Sequence, residues 1–323
     1  MLRVVLGVAV FCVSFCAFAD DAWQMLEKTA FAARELNYSG QFIYQSGSQS
    51  RVVEITHMNR DGREMTRNMV LDDKSDKSRE VYSQGSDIVI LQQKNEKVMI
   101  EKRRGQNLFP AMLPTDLQLI KSTYTARFGA IEMVAGRSAQ IIELMPKDAF
   151  RYSYKIWSDA EFGLLLKMTL LDSKNETLEQ IYFNQLSMLN LQDPNWFQPK
   201  IDVNKNYVME DSPPVMRVTE DWIVAHLPAG YRKIDQVQRT VPGKPAPVNQ
   251  IIFSDGIASV SLFIEPLSKG MRPKMGHMLV GSTNICANVI DGHQVMVVGE
   301  VPAETVEQIA KAVTFKKQTT ANK

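Results

Sequence analysis

The chain has 323 residues, 45% of them hydrophobic and 23% charged, with a formal charge of +1. That is the balance of an ordinary globular protein of one large or two modest domains. It excludes the strong positive field that a non-specific nucleic-acid binder uses.

The first residues differ from the rest. Met1-Leu2-Arg3 is a short basic start, residues 4–15 form an apolar run, and Ala17-Phe18-Ala19 supplies small residues before a cleavage point. This pattern predicts a secretory signal peptide over residues 1–19, with Asp20 the first mature residue. The run is short for a bilayer span. Bulky Phe15 argues against lipid attachment at Cys16. Loss of the signal removes Arg3, bringing the formal charge to zero. It also leaves Cys286 alone, so no intramolecular disulfide forms. Cys286 lies in an apolar run and reads as a small buried hydrophobe.

Residues 20–36 read as a helix. Asp20 and Asp21 place negative charge at its start, and Trp23, Leu26, Ala30 and Ala33 recur at helical spacing. From Tyr38 the period becomes two. Strands are predicted from Tyr38 through Lys102, with turns at Ser46-Gly47-Ser48 and Asp61-Gly62 and a charged loop over 72–78. Lys102-Arg103-Arg104 reads either as a solvated edge that discourages aggregation or as a contact for anionic groups. Residues 107–121, interrupted by Pro110 and Pro114, predict two short helices or a loop and one helix. Residues 136–189 continue as strands, with Tyr152 and Tyr154 on one face and Arg151, Ser153 and Lys155 on the other. A proline-bracketed segment, 196–214, reads as a linker or a long arm on the surface of the first domain. Beyond it, hairpins at Asp255-Gly256 and Asp291-Gly292 and a closing helix near 302–313 predict a small α+β domain of about four strands.

No nucleophile elbow, His-Glu-x-x-His or phosphate-binding glycine loop is present, and His57, His226, His277 and His293 are scattered. The reading is therefore a non-enzymatic protein that requires no metal or cofactor.

Several motifs stand out together. In the first part these are Asn37-Tyr38-Ser39-Gly40-Gln41-Phe42-Ile43-Tyr44, Val134-Ala135-Gly136-Arg137, Pro146-Lys147-Asp148 with Arg151-Tyr152, and Trp157 with Gly163-Leu164-Leu165-Leu166-Lys167. Later come Phe253-Ser254-Asp255-Gly256-Ile257-Ala258-Ser259-Val260-Ser261, Phe263-Ile264-Glu265-Pro266 and Gly299-Glu300-Val301-Pro302 with Thr305-Val306. Together these motifs resemble the RseB/MucB family of periplasmic sigma-E regulators, and the resemblance covers essentially the whole mature chain. It implies a mainly β fold: a large LolA-like unclosed antiparallel half-barrel with capping helices over residues 20–195. A small α+β domain over 215–318 and a tail at 319–323 would follow.

The resemblance further implies binding to the periplasmic segment of the anti-sigma factor RseA, which shields it from the protease DegS. Release would come from lipopolysaccharide or mislocalised lipoprotein. The alternative is a periplasmic lipid or lipoprotein carrier. An open barrel would line its cavity with Phe42, Tyr44, Phe109, Met112, Leu117, Tyr152, Tyr154 and Leu166. Arg217, Trp222 and Lys269 are expected at the partner surface between the domains. The sequence leaves open whether the chain forms a homo-oligomer, and nothing in it points to nucleic acid.

Overall fold

The computed structural model describes residues 14–71, 79–85, 87–92, 97–102, 108–190, 192–202, 204, 206–211, 222–239, 246–268, 270 and 272–315. The charged loop over 72–78, together with Arg103, Arg104, Arg217 and Lys269, lies outside the described residues.

A helix, α1 (Ser14–Glu35), begins six residues before Asp20 and leads into a run of antiparallel strands. These are β1 (Tyr38–Ser46), β2 (Gln49–Arg60), β3 (Arg63–Leu71), β4 (Arg79–Gln84), β5 (Asp87–Gln92) and β6 (Lys97–Lys102). A loop and one short helix, α2 (Gln118–Thr123), follow. The chain then returns through β7 (Tyr124–Val134), β8 (Arg137–Pro146), β9 (Ser153–Asp159), β10 (Leu165–Leu171) and β11 (Thr177–Met188). The segment expected as a linker or a surface arm runs in part along the first domain. A 3-10 turn at Pro194–Phe197 buries Phe197, and β12 (Val208–Asp211) pairs in parallel with β6. The large sheet thus runs β12-β6-β5-β4-β3-β2-β1-β11-β10-β9-β8-β7. Its two edge strands are not hydrogen-bonded to each other, so the barrel is unclosed.

Tight turns set the register. Asp61-Gly62, Ala135-Gly136 and Asp291-Gly292 each have positive φ at both residues, the geometry that matches the twist of a two-residue hairpin. Alternation then assigns the faces. Tyr154, Ile156 and Ser158 point toward α1, where Thr29 Oγ1 lies 2.8 Å from Ser158 Oγ. Lys155 and Trp157 point the other way. The end of α1 is tied to β2 by Asn59 Nδ2 donating to Arg34 O at 2.9 Å and by His57 Nδ1 at 2.7 Å from Leu36 O. Leu26, Ala30 and Ala33 of α1 are buried against the sheet with Ile142, Leu144, Ile156 and Leu166, forming the main core.

The second sheet has six strands, two more than its hairpin signals suggest. They are β14 (Arg232–Arg239), β15 (Val248–Ser254), β16 (Ser259–Pro266), β17 (Gly276–Val280), β18 (Thr283–Ile290) and β19 (His293–Gly299). Their order is β14-β15-β16-β19-β18-β17. Helix α3 (Ala303–Ala312) buries Val306, Ile309 and Ala310 on it. The short strands β13 (Trp222–Val224) and β20 (Val313–Phe315) pair beside it. The Asp255-Gly256 turn is not the tight turn its sequence predicts. β15 and β16 are joined by four residues because the Asp255 carboxylate turns inward to accept the N–H groups of Ile257 (3.1 Å) and Ala258 (2.9 Å).

Candidate functional site

The residues expected to line a lipid cavity fall into two groups. Phe42, Phe109, Leu117, Tyr154 and Leu166 are buried in the main core, and half-buried Met112 packs against them. The rings of Phe42 and Phe183 each sit 5.0 Å from that of Phe109, and Tyr124 meets Tyr154 edge-on at 6.1 Å. These side chains fill one another's space, and the cavity beside Phe109 holds only about 20 Å³. Tyr152 packs against this core and also reaches Asn284 of the second sheet, and Tyr44 lies beside Glu179 and Glu300, where the two sheets meet. Trp222 is also not a surface residue. It is buried in the small domain with its ring 5.0 Å from His293 and 4.8 Å from Phe315.

The seam between the sheets is polar and largely buried. Arg151 Nε donates to Asp255 Oδ2 at 2.9 Å, with both side chains fully enclosed. The same guanidinium bonds Asp148 and the carbonyl of Ala229, and its face lies 5.0 Å from the ring of Tyr231. Tyr124 Oη adds a longer hydrogen bond of 3.4 Å to Asp255. Burial pushes the Asp255 carboxyl up, while the Ala258 and Ile257 amides and Arg151 pull it back toward ionisation. Burial likewise raises the Tyr231, Tyr124 and Tyr154 hydroxyls, keeping them neutral donors. The Ala229 loop closes here because Gly230 has φ +81°. A Cβ at that position would lie 2.4 Å from Thr123 Cγ2.

Two further contacts tie the sheets together. Asn284 Nδ2 donates to Tyr152 Oη (3.1 Å) and Val301 O (2.8 Å), and Thr305 Oγ1 donates to Phe150 O at 2.9 Å. At the rim Ser282 Oγ donates to Glu179, which also accepts from Ser46 Oγ at 3.1 Å. Glu300 faces this group. Lost hydration and the nearby Glu179 charge push its carboxyl up to about 7. The same two carboxylates raise the Tyr44 hydroxyl, after burial. Sequence reasoning quoted Arg151, Asp255 and Glu300 within motifs but could not show that they meet.

One edge of the small sheet is open. Met278, Leu279 and Val280 of β17 are each more than half exposed (52%, 60% and 58%), with Met275 beside them at 63%. Exposed Arg272, Lys274 and His277 lie alongside. The opposite edge, β14, carries Arg232, Lys233 and Asp235, the charged guard usual on an unpaired strand. β17 itself carries no Lys, Arg, Asp or Glu, and its edge can accept an extended chain in β-pairing.

Among the described residues no group of three or more His, Cys, Asp or Glu side chains could hold a metal ion. Two sheets locked by a polar seam, the larger an unclosed antiparallel half-barrel, define the class of protein by its two-domain fold. The chain belongs to the MucB/RseB family: residues 21–201 match its N-terminal domain and residues 216–314 its C-terminal domain. It is 28% identical over 304 residues to the sigma factor AlgU regulatory protein MucB of Pseudomonas aeruginosa, covering 91% of both chains. It is 25% identical over 300 residues to the sigma-E factor regulatory protein RseB of Escherichia coli K12, covering 90% of both. The complex structure of Pseudomonas aeruginosa MucA/MucB matches with TM-score 0.74 and 28% identity, over 92% of this chain and 100% of that one. A crystal structure of MucB alone matches at 0.65, over 92% and 98%.

Proposed function

We propose that this protein is a periplasmic negative regulator of a sigma-E-type envelope-stress response. It binds the periplasmic segment of an RseA-type anti-sigma factor and shields it from the site-one protease DegS. Lipopolysaccharide or mislocalised lipoprotein then releases it. The observation that carries this reading is the fit of both sheets to a MucB chain solved with MucA. The signal-like residues 1–19 agree with export. A carrier of lipoprotein would have no evident use for the second sheet and its bare β17 edge.

The filled core shapes the lipid step. An acyl chain of about twelve methylenes contributes on the order of 10 kcal/mol gross, at about 0.8 kcal/mol each. To enter the α1 side of the large sheet it must part α2 and the loop before it from Phe42, Tyr154 and Leu166. Lipid binding and the compact form then compete, and a partner that prefers the compact form is displaced.

The test is protection of the anti-sigma segment from DegS, with and without lipopolysaccharide. Protection that lipopolysaccharide abolishes is the expected outcome. Failure to capture the segment, together with transfer of lipoprotein between acceptors, would establish the carrier reading instead.

A further inference from the structure

Helix α2 closes one side of the main core, yet it is poorly equipped to hold itself there. It has six residues, and Leu117 at its N-cap offers no side-chain hydrogen bond. A helix that short does not persist without tertiary contacts. The large domain supplies some of them. Ile120 is fully buried in the main core, Lys121 Nζ pairs with Glu27 Oε1 at 2.6 Å, and Lys147 Nζ donates to Lys121 O at 2.9 Å.

The rest come from the small domain. The connection between β15 and β16 lays its backbone directly on α2. A Cβ at Gly256 would lie 3.0 Å from Ile120 Cγ1 and 3.8 Å from Leu119 Cβ. Half-buried Ile257 packs against the core of the large sheet. Thr123, the last residue of α2, meets the Gly230 backbone in the same way. The β15–β16 connection is itself stiff. Ser254 Oγ accepts the Gly256 N–H at 3.0 Å and donates to Ala258 O at 2.7 Å. Asp255 anchors it from below through Arg151 and through Tyr124, which follows α2 directly. Close-packed interiors do not deform continuously. With the Gly256 backbone against Ile120, α2 cannot lift from the core unless this turn withdraws.

We propose that the 254–258 turn is a strut that keeps α2 closed, so that the core of the large sheet opens to an acyl chain only as the two sheets part at this turn. The proposal rests on the lipid-release reading and gives it a route from the core to the contact between the sheets. Such coupling is reciprocal: a chain seated under α2 loosens the turn, and a loosened turn favours the seated chain.

The test combines hydrogen exchange with binding of a fluorescent fatty acid, 11-(dansylamino)undecanoic acid, to the full chain. In probe-free Ile257→Ala the amides of residues 118–123 should exchange severalfold faster than in the parent, and the probe should bind severalfold more tightly. Val297→Ala, fully buried on β19 in the small-sheet core, is the control and should leave both within about twofold. In the parent, saturating probe should speed exchange over 118–123 and 254–258 together. Unchanged exchange over 118–123 in Ile257→Ala, an equal gain in Val297→Ala, or probe that frees 118–123 while 254–258 stays protected would overturn the proposal. If the probe binds neither parent nor variant, the lipid reading fails, and exchange in probe-free Ile257→Ala still decides whether the turn holds α2. If Ile257→Ala does not fold, Ile257→Val replaces it, with a smaller change in the same direction expected.

Discussion

Arg151 and Asp255 lie 104 residues apart in sequence and meet at 2.9 Å between the two sheets, with neither side chain exposed to solvent. Removing one partner of such a pair leaves a buried charge uncompensated, at a cost of about 3–5 kcal/mol. Arg151→Ala also frees Asp148 and the Ala229 carbonyl. Its urea midpoint should therefore fall markedly, and Asp255→Ala should cost about as much. Because the two act on one interaction, the double variant should be less destabilised than the sum of the singles. Additive losses in the double variant would mean that the pair does not couple the sheets.

Leu166 tests whether the α1 side of the large sheet is a filled core. It is fully buried on β10 among the α1-facing residues. Leu166→Ala should cost about 2–5 kcal/mol, the range for a leucine cavity. Leu166→Glu should abolish cooperative melting, since an unpaired carboxylate would replace it with no partner in reach. A Leu166→Glu protein that melts like the parent would show that this side opens readily to water, as a standing lipid cavity would.

The sequence made the strand-rich architecture legible wherever one face was buried and the turn chemistry was strong. Asp61-Gly62 and Asp291-Gly292 are two-residue hairpins as their residues predict, and α3 buries the face its periodicity marks. The strands that escaped notice lack those signals. β7 is exposed along most of its length and slips register between Phe128 and Ile131, so no alternation survives. β17 is exposed at every position and follows a stretch rich in glycine, proline and lysine. The seam was illegible for another reason: Arg151 reads as one more polar residue on the strand face shared with Ser153 and Lys155 until the chain brings Asp255 to it. Pairwise meetings over that separation are set by topology, which local pattern does not encode.

The unguarded edge of β17 gives a prediction about the partner. Leu279 is 60% exposed on a strand whose outer side faces no other strand among the described residues. Leu279→Lys changes no core contact, so its stability should stay within about 0.5 kcal/mol of the parent. Capture of the anti-sigma segment should nonetheless weaken about tenfold, because an edge lysine opposes β-pairing and removes an apolar anchor. Undiminished capture by this variant would exclude β17 as the seat of the partner.

The last prediction concerns pH at the rim of the seam. Glu300 in the folded chain is raised to about 7 from an ordinary 4.5, first by lost hydration and then by the Glu179 carboxylate. The folded state therefore holds this proton more tightly than the unfolded chain does. The stability it contributes is fully present below about pH 4.5 and is lost as pH rises through about 7. Asp255, also raised, adds a change of the same sign. Glu179 is the group through which Ser282 holds the small sheet to the large one. Ionising Glu300 beside it therefore loosens the contact between the sheets rather than the core of either. Glu300→Gln should leave the melting temperature at pH 4.5 near that of the parent and raise it at pH 8. The drop between those two pH values should shrink. Parallel melting profiles for the parent and Glu300→Gln across that range would remove Glu300 from the account.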